Sequence, residues 1–169
     1  MTSGRDHWRP AYVGIGSNLN DPATQVQKAF AALQKLPDSG FARCSGLYRS
    51  APMGPPEQPD FVNAVAVVLT QLDPHGLLRE LQAIETSHGR QRETPQWGPR
   101  IVDLDLLVMG QVIINEKGLV IPHPGIAERN FVLFPLAEIA PGLLVPNMGS
   151  VQKLVAALGT AGPRIERMD

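Results

Sequence analysis

Twice in this chain an aspartate-proline pair follows a strand-like run, at Asp21-Pro22 and at Asp73-Pro74. Aspartate suits the N-cap and proline the first helical position, where its missing N–H costs nothing, so each pair predicts a helix start. Behind the first, Val26, Ala29, Phe30, Leu33 and Leu36 recur at helical spacing as far as Pro37. Behind the second, Leu77, Leu78, Leu81, Ile84 and His88 line one helical face until Gly89 ends it. Ahead of the first lies a strand-like run from Ala11 to Gly16, and ahead of the second the valine-rich run Phe61 to Thr70, apolar on both faces. Further strands are predicted over Phe41 to Tyr48 and Ile101 to Met109. Between Ala51 and Pro59, four of nine residues are proline, which excludes a regular ladder there.

Strand, helix, strand, strand, helix, strand is the order of a ferredoxin-like βαββαβ core. The expected fold is therefore α+β, with a mainly antiparallel sheet, both helices on one face, and the other face open for loops and a ligand. Val112 to Ile114 and Leu119 to Ile121 suggest an extra hairpin, and Ala127 to Ile139 and Val151 to Leu158 extra helices. At 169 residues, with 43% hydrophobic and 18% charged, one soluble domain is expected over residues 10–169. Residues 1–9 form a polar extension that need not be ordered. A net charge of -1 supplies no basic excess for nucleic acid or a membrane surface. The longest apolar run, Ala64 to Leu69, is far short of the ~20 residues of a spanning helix. The single cysteine, Cys44, rules out an internal disulfide. A cytoplasmic monomer is the expectation.

Gly14-Ile15-Gly16 starts like a dinucleotide fingerprint, but Leu19 stands where the third glycine belongs. There is no Gly-Lys-Ser/Thr phosphate loop, no Gly-x-Ser-x-Gly elbow, and no zinc-like spacing among His7, His75, His88 and His123. Nucleotide chemistry, if present, needs another device.

One candidate lies in Gly89 to Met109. In a strand over Ile101 to Met109, Asp103 and Asp105 share a face roughly 6.6 Å apart, while Val102, Leu104, Leu106 and Val108 point to the core. Two carboxylates at that spacing repel by about 2.5 kcal/mol at an effective dielectric near 20, so they call for compensating positive charge. Two readings compete: a solvated edge paired with Arg100, or a Mg²⁺ site. Arg90, Arg92 and Arg100 crowd the preceding loop, opposed only by Glu93. Guanidiniums beside paired carboxylates describe a site for a metal-bound polyphosphate, against the alternative of a solvated loop. Trp97 in that loop either closes over the phosphates or anchors the loop.

Phe61 and Asn63 face the same way on their strand and offer a stacking surface and an amide edge to a flat heterocycle; the competing reading is a core phenylalanine and a turn-proximal polar group. His123, between two prolines, and Arg129 and Phe131 beyond it, suit a phosphate contact or an ordinary loop.

Together, Gly16-Ser17-Asn18-Leu19, Tyr48 to Gly54, Gln58 to Asn63, Gly89-Arg90-x-Arg92, Trp97 to Asp105, Pro122-His123-Pro124 and Arg129-x-Phe131-Val132-Leu133 resemble the 6-hydroxymethyl-7,8-dihydropterin pyrophosphokinase family. The Trp97–Asp105 block is the most specific, and the likeness spans about Ala11 to Pro141. The chain departs from the family pattern in its polar N-terminal extension, at Asn20, where many relatives carry glycine, and at Ala51, where proline is common.

The resemblance implies transfer of the β,γ-diphosphate of ATP to the pterin hydroxymethyl group, leaving AMP, in folate biosynthesis. It implies two Mg²⁺ ions on Asp103 and Asp105, and phosphate contacts from Arg90, Arg92 and Arg100. Trp97 matches a lid residue. Phe61 and Phe131 match the aromatics around the pterin, with Asn63 reading its polar edge and Ser50, Ala51 and Met53 alongside. His123, Arg129, Gln82 and Glu85 match ATP contacts, and the main chain near Leu106 an adenine contact. Two other classes compete. An RNA-binding module is poorly served by 5% aromatics and a net charge of -1; an inactive regulatory ligand-binding domain would keep the pocket without turnover.

Overall fold

The computed structural model describes residues 7–89 and 101–168. Its centre is β4 (Phe61–Thr70), whose run of valines and alanines is buried almost end to end. Antiparallel partners flank it: β1 (Arg9–Ser17) on one side, with β5 (Asp103–Met109) beyond, and β3 (Tyr48–Ser50) on the other, with β10 (Ile165–Arg167) beyond. β2 (Ser39–Cys44) also pairs with β4, farther along it than β3. β1 begins before the predicted Ala11, with Arg9 already opposite Thr70, so pairing reaches into the residues expected to be an extension.

α1 (Pro22–Leu33) and α2 (Pro74–Ser87) pack on one face of the sheet. Val26, Ala29 and Leu33 from α1 and Leu77 and Leu81 from α2 meet Val13, Ala64, Ala66 and Leu104. Each fully buried leucine contributes roughly 1.5–3 kcal/mol. The two aspartate-proline starts behave differently. Asp73 caps α2, its Oδ1 accepting from the Gly76 N–H at 2.6 Å. Asp21 does not cap α1 with its side chain: Asn20 and Asp21 both have positive φ, and the carboxylate accepts instead from the Thr24 hydroxyl.

The second face differs from expectation. It is not left open: α3 (Asn130–Ile139) and α4 (Val151–Leu158) cover half of it, burying Val65, Val67, Leu107 and Val108 against Val132, Leu133 and Leu136. Val108 therefore faces α3 rather than the α1–α2 core. Pairing shifts between Tyr12 and Val13, so that Val13 opposes Leu106 but Tyr12 opposes Val108, and the bulge at Leu107 turns the rest of the strand over. The predicted strand from Phe41 to Tyr48 is also two strands. Ser45 interrupts it, giving its N–H to the Val65 carbonyl while its hydroxyl accepts from the Val65 N–H. The hairpin comprises β6 (Ile114–Glu116) and β7 (Leu119–Ile121), turning at Gly118 with φ +91°. A short pair, β8 (Leu144–Val145) and β9 (Gly149–Ser150), precedes α4. Among the described residues no helix is long and apolar enough to cross a membrane.

Candidate active site

The uncovered half of the second face is where the polar side chains gather. Register sets them in rows across β4, β1 and β5: Asn63, Gly16 and Asp103 in one, and Val65, Gly14 and Asp105 in the next. The following row, Val67, Tyr12 and Val108, belongs to the core under α3. Glycine in the middle strand is the feature that sequence reading passed over: Gly14 and Gly16 figure there in a failed fingerprint, and Gly16 in a family-like stretch, but neither as a gap in the sheet face. Their signal was available, because glycine inside a strand marks a close approach. A Cβ at Gly16 would lie 3.2 Å from Asn63 Oδ1 and 3.9 Å from Phe61 Cδ1. The missing side chains make the floor of a cavity of about 330 Å³.

At one end of this cavity stand Phe61, Asn63, Ser50, Ala51, Met53 and Phe131. Asn63, only 5% exposed, donates through Nδ2 to Ser50 Oγ at 2.7 Å, which fixes its amide with Oδ1 on the side of Gly16. The proline loop is held to the end of β1 by Asn18, whose Nδ2 donates to Gln58 Oε1 at 2.8 Å and the Pro59 carbonyl at 3.1 Å. Phe131 enters from the first turn of α3. The helix that closes the second face therefore also supplies one wall.

At the other end Asp103 and Asp105, both half-buried, point from β5 into the same space, with Gln82 and Glu85 from α2 beside them. Glu85 is buried, and its Oε2 accepts from the Leu104 N–H at 2.7 Å. That bond ties the outer edge of β5 between its two aspartates. Leu106 is not part of the cavity wall; its side chain is buried in the α1–α2 core.

His123 and Arg129 complete the lining. Burial pushes the His123 imidazole below its ordinary pKa and the charge of Arg129 adds to this, while Asp103 pulls the other way. Its Nδ1 accepts from the Gly125 N–H at 3.0 Å, so the neutral ring carries its proton on Nε2. The Arg129 guanidinium lies over Gly125, where a Cβ would come within 2.6 Å. The cavity thus gathers twelve of the residues picked out from sequence: Ser50, Ala51, Met53, Phe61, Asn63, Gln82, Glu85, Asp103, Asp105, His123, Arg129 and Phe131. Arg90, Arg92, Trp97 and Arg100 lie outside the described residues.

Among the described residues no three His, Cys, Asp or Glu side chains form a metal cage. Two carboxylates on a rigid strand nevertheless fit Mg²⁺, which keeps several waters and takes its other ligands from phosphate oxygens. Chemically, the arrangement offers a flat, amide-edged slot at one end and anionic oxygen donors at the other, with an arginine and a neutral imidazole N–H between them.

A family model for 7,8-dihydro-6-hydroxymethylpterin-pyrophosphokinase matches residues 12–141. A Pseudomonas aeruginosa protein named 2-amino-4-hydroxy-6-hydroxymethyldihydropteridine pyrophosphokinase is 45% identical over 157 residues, covering 93% of this chain and 95% of its own. A Haemophilus influenzae protein of the same name is 46% identical over 145 residues, 86% and 90% of the two chains. In structure, the wild-type Plasmodium falciparum HPPK-DHPS superposes with a TM-score of 0.69 at 15% identity, a likeness of fold alone. It covers 89% of this chain, which spans 45% of that longer one.

Proposed function

The chain belongs to the 7,8-dihydro-6-hydroxymethylpterin-pyrophosphokinase family, and from that premise we infer how its cavity serves the reaction. It is an ATP-dependent pyrophosphokinase of folate biosynthesis: it transfers the β,γ-diphosphate of ATP to the hydroxymethyl group of 6-hydroxymethyl-7,8-dihydropterin, giving AMP and the pterin diphosphate. The observation that carries the residue assignment is the row Asn63, Gly16, Asp103, which sets an amide edge and a carboxylate either side of a gap with no side chain.

The pterin lies at the Phe61, Asn63 and Phe131 end, with Ser50, Ala51 and Met53 bounding it. Asn63, held by Ser50, has the donor and acceptor that an amide-like ring edge needs. ATP lies toward β5, with His123, Arg129, Gln82 and Glu85 around it and the main chain near Leu106, on the last strand of the sheet, left for the adenine. Asp103 and Asp105 would hold two Mg²⁺ ions, whose charge would offset that of the phosphates. His123, neutral and protonated on Nε2, donates a hydrogen bond to a phosphate oxygen rather than removing a proton. Arg90, Arg92 and Arg100 add charge to the phosphates, and Trp97 belongs to the same loop. Catalysis is positioning and electrostatic stabilisation, since phosphoryl-type transfer needs little covalent help from a protein.

The strand order β2, β4, β1, β5 with α1 and α2 on one face supports the ferredoxin-like core. A single domain from residue 10 onward, cytoplasmic and monomeric, is part of this proposal; the six-stranded sheet that joins β1 to β10 supports the single domain.

Incubating the protein with ATP, Mg²⁺ and the reduced pterin should yield AMP and pterin diphosphate in equal amounts. Pterin binding without AMP formation would instead favour a regulatory domain.

A further inference from the structure

Residues 162–168 lie beyond the stretch matched by the family model, yet they bond to three walls of the cavity. β10 pairs along β3, with Ile165 opposite Ser50 and Arg167 opposite Tyr48, and continues into a bond from the Met168 N–H to the Leu47 carbonyl. The Ala51 N–H donates to the Arg164 carbonyl at 2.9 Å, tying down the residue after Ser50. Arg164 Nη2 reaches Asp60 Oδ2 at 3.3 Å, immediately before Phe61. Asn130, immediately before Phe131, donates through Nδ2 to the Pro163 carbonyl at 2.8 Å. Gly162, at φ +106°, lies so close that a Cβ there would stand 2.9 Å from the same amide nitrogen.

Asn130 is 3% exposed, and among the described residues its Oδ1 has no partner. A buried amide with one atom unpaired is a poor stabiliser, so its presence points to the clasp on Pro163 rather than to packing. β3 is only three residues long; without β10 it would be an unsupported edge carrying Ser50, the group that holds Asn63.

We propose that residues 162–168 form a strap that sets the spacing of the pterin-side walls, with Asn130 and Arg164 as its positioning residues. This rests on the assignment of that end of the cavity to pterin. Its bonds go to the residues beside Ser50, Phe61 and Phe131, so it acts on pterin rather than on nucleotide. By linkage, a strap whose closure tightens pterin binding is itself tightened by pterin to the same factor.

The test uses the full chain. Asn130→Ala should raise the pterin KM at least fivefold and Arg164→Ala at least twofold, with kcat and the ATP KM within twofold of wild type and Arg164→Lys close to wild type. In the wild-type protein, pterin should slow hydrogen exchange of the Ala51 and Met168 amides at least fivefold, and a non-hydrolysable ATP analogue alone should not. If Asn130→Ala does not fold, Arg164→Ala and the exchange measurement still decide. Equal rises in both KM values, no rise in either, or exchange indifferent to pterin overturns the strap. Wild-type protein that binds no pterin overturns the functional assignment, and the strap with it.

Discussion

Gly16→Ala tests the slot directly, because the perturbation is one methyl group in a known place. Gly16 has no positive φ, so alanine is not strained by the backbone. Among the described residues, the atoms its Cβ meets within 4 Å are Asn63 Oδ1 at 3.2 Å and Phe61 Cδ1 at 3.9 Å. The first contact is too tight to keep. Asn63 yields only by stretching its 2.7 Å bond to Ser50, and it is 5% exposed, so water cannot replace the loss. Leaving a buried polar group unsatisfied costs about 1–3 kcal/mol, which corresponds to a roughly 5- to 150-fold loss of pterin affinity if Asn63 reads the ring edge. The same strain should lower Tm by roughly 2–4 °C per kcal/mol for a chain of this size. Calorimetric titration with pterin and separately with an ATP analogue measures both affinities, and Gly40→Ala, whose Cβ would meet nothing within 4 Å, serves as the control. Pterin affinity within twofold of wild type in Gly16→Ala would refute the slot, and equal losses for pterin and nucleotide would refute its assignment to pterin.

The remaining predictions concern the two ends of the cavity and one network behind it. Asp103→Ala or Asp105→Ala should add at least ~3 kcal/mol to the barrier, the scale of one preorganised electrostatic group; turnover within tenfold of wild type in either would sink the metal role. Phe131→Ala should weaken pterin and leave nucleotide affinity within a few-fold, as read by the same titrations. Tyr48 donates to Glu138 Oε1 at 2.7 Å, and its pKa is pushed up to about 12 by burial and by that carboxylate. Burial alone would raise Glu138, but hydrogen bonds from Tyr48, Arg167 and the Gly46 N–H outweigh it and hold the carboxyl below its ordinary value. Tyr48 therefore adds stability that is whole below about pH 10 and lost as pH rises toward 12, while Glu138 adds stability that is lost as pH falls below the usual carboxylate range. Denaturant titrations across pH should show Tyr48→Phe less stable than wild type near neutrality, with the gap narrowing above pH 10; a constant gap would contradict the linkage.

Sequence spoke clearly where one local signal decided the outcome. β4 runs from Phe61 to Thr70 as read, because an uninterrupted valine run has no other use in a small sheet, and α2 starts where Asp73 and Pro74 mark it. The bulge at Leu107 was illegible for the opposite reason. Leu106, Leu107 and Val108 are all apolar, so alternation cannot say which of them faces α3. α3 itself is apolar nearly all round, a pattern that marks burial but not the surface it is buried against. β10 reads Ile-Glu-Arg and has no intrinsic strand signal; it exists because β3 offers it an edge. Ser45, which splits the strand predicted over Phe41 to Tyr48, acts through its side chain, beyond the reach of any periodicity.

The site was more legible than the face that carries it, and the rows across the sheet explain why. Down that face each strand changes character within one row of its neighbours: Phe61 and Asn63 give way to Val65 and Val67 on β4, Gly16 and Gly14 to Tyr12 on β1, and Asp103 and Asp105 to Leu107 and Val108 on β5. Where the side chains are polar, alternation against apolar neighbours reveals them one strand at a time, and Asn63, Asp103 and Asp105 could each be singled out. Where they are apolar on both faces, the signal vanishes, and with it any sign that a helix lies on top. What no single strand can reveal is that Gly16 stands between Asn63 and Asp103, because that fact belongs to pairing register. An amide that reads a heterocycle and a carboxylate suited to a metal-bound phosphate must stand about one substrate apart. Two strand spacings of roughly 4.8 Å, with glycine in the middle, supply that distance and keep it empty.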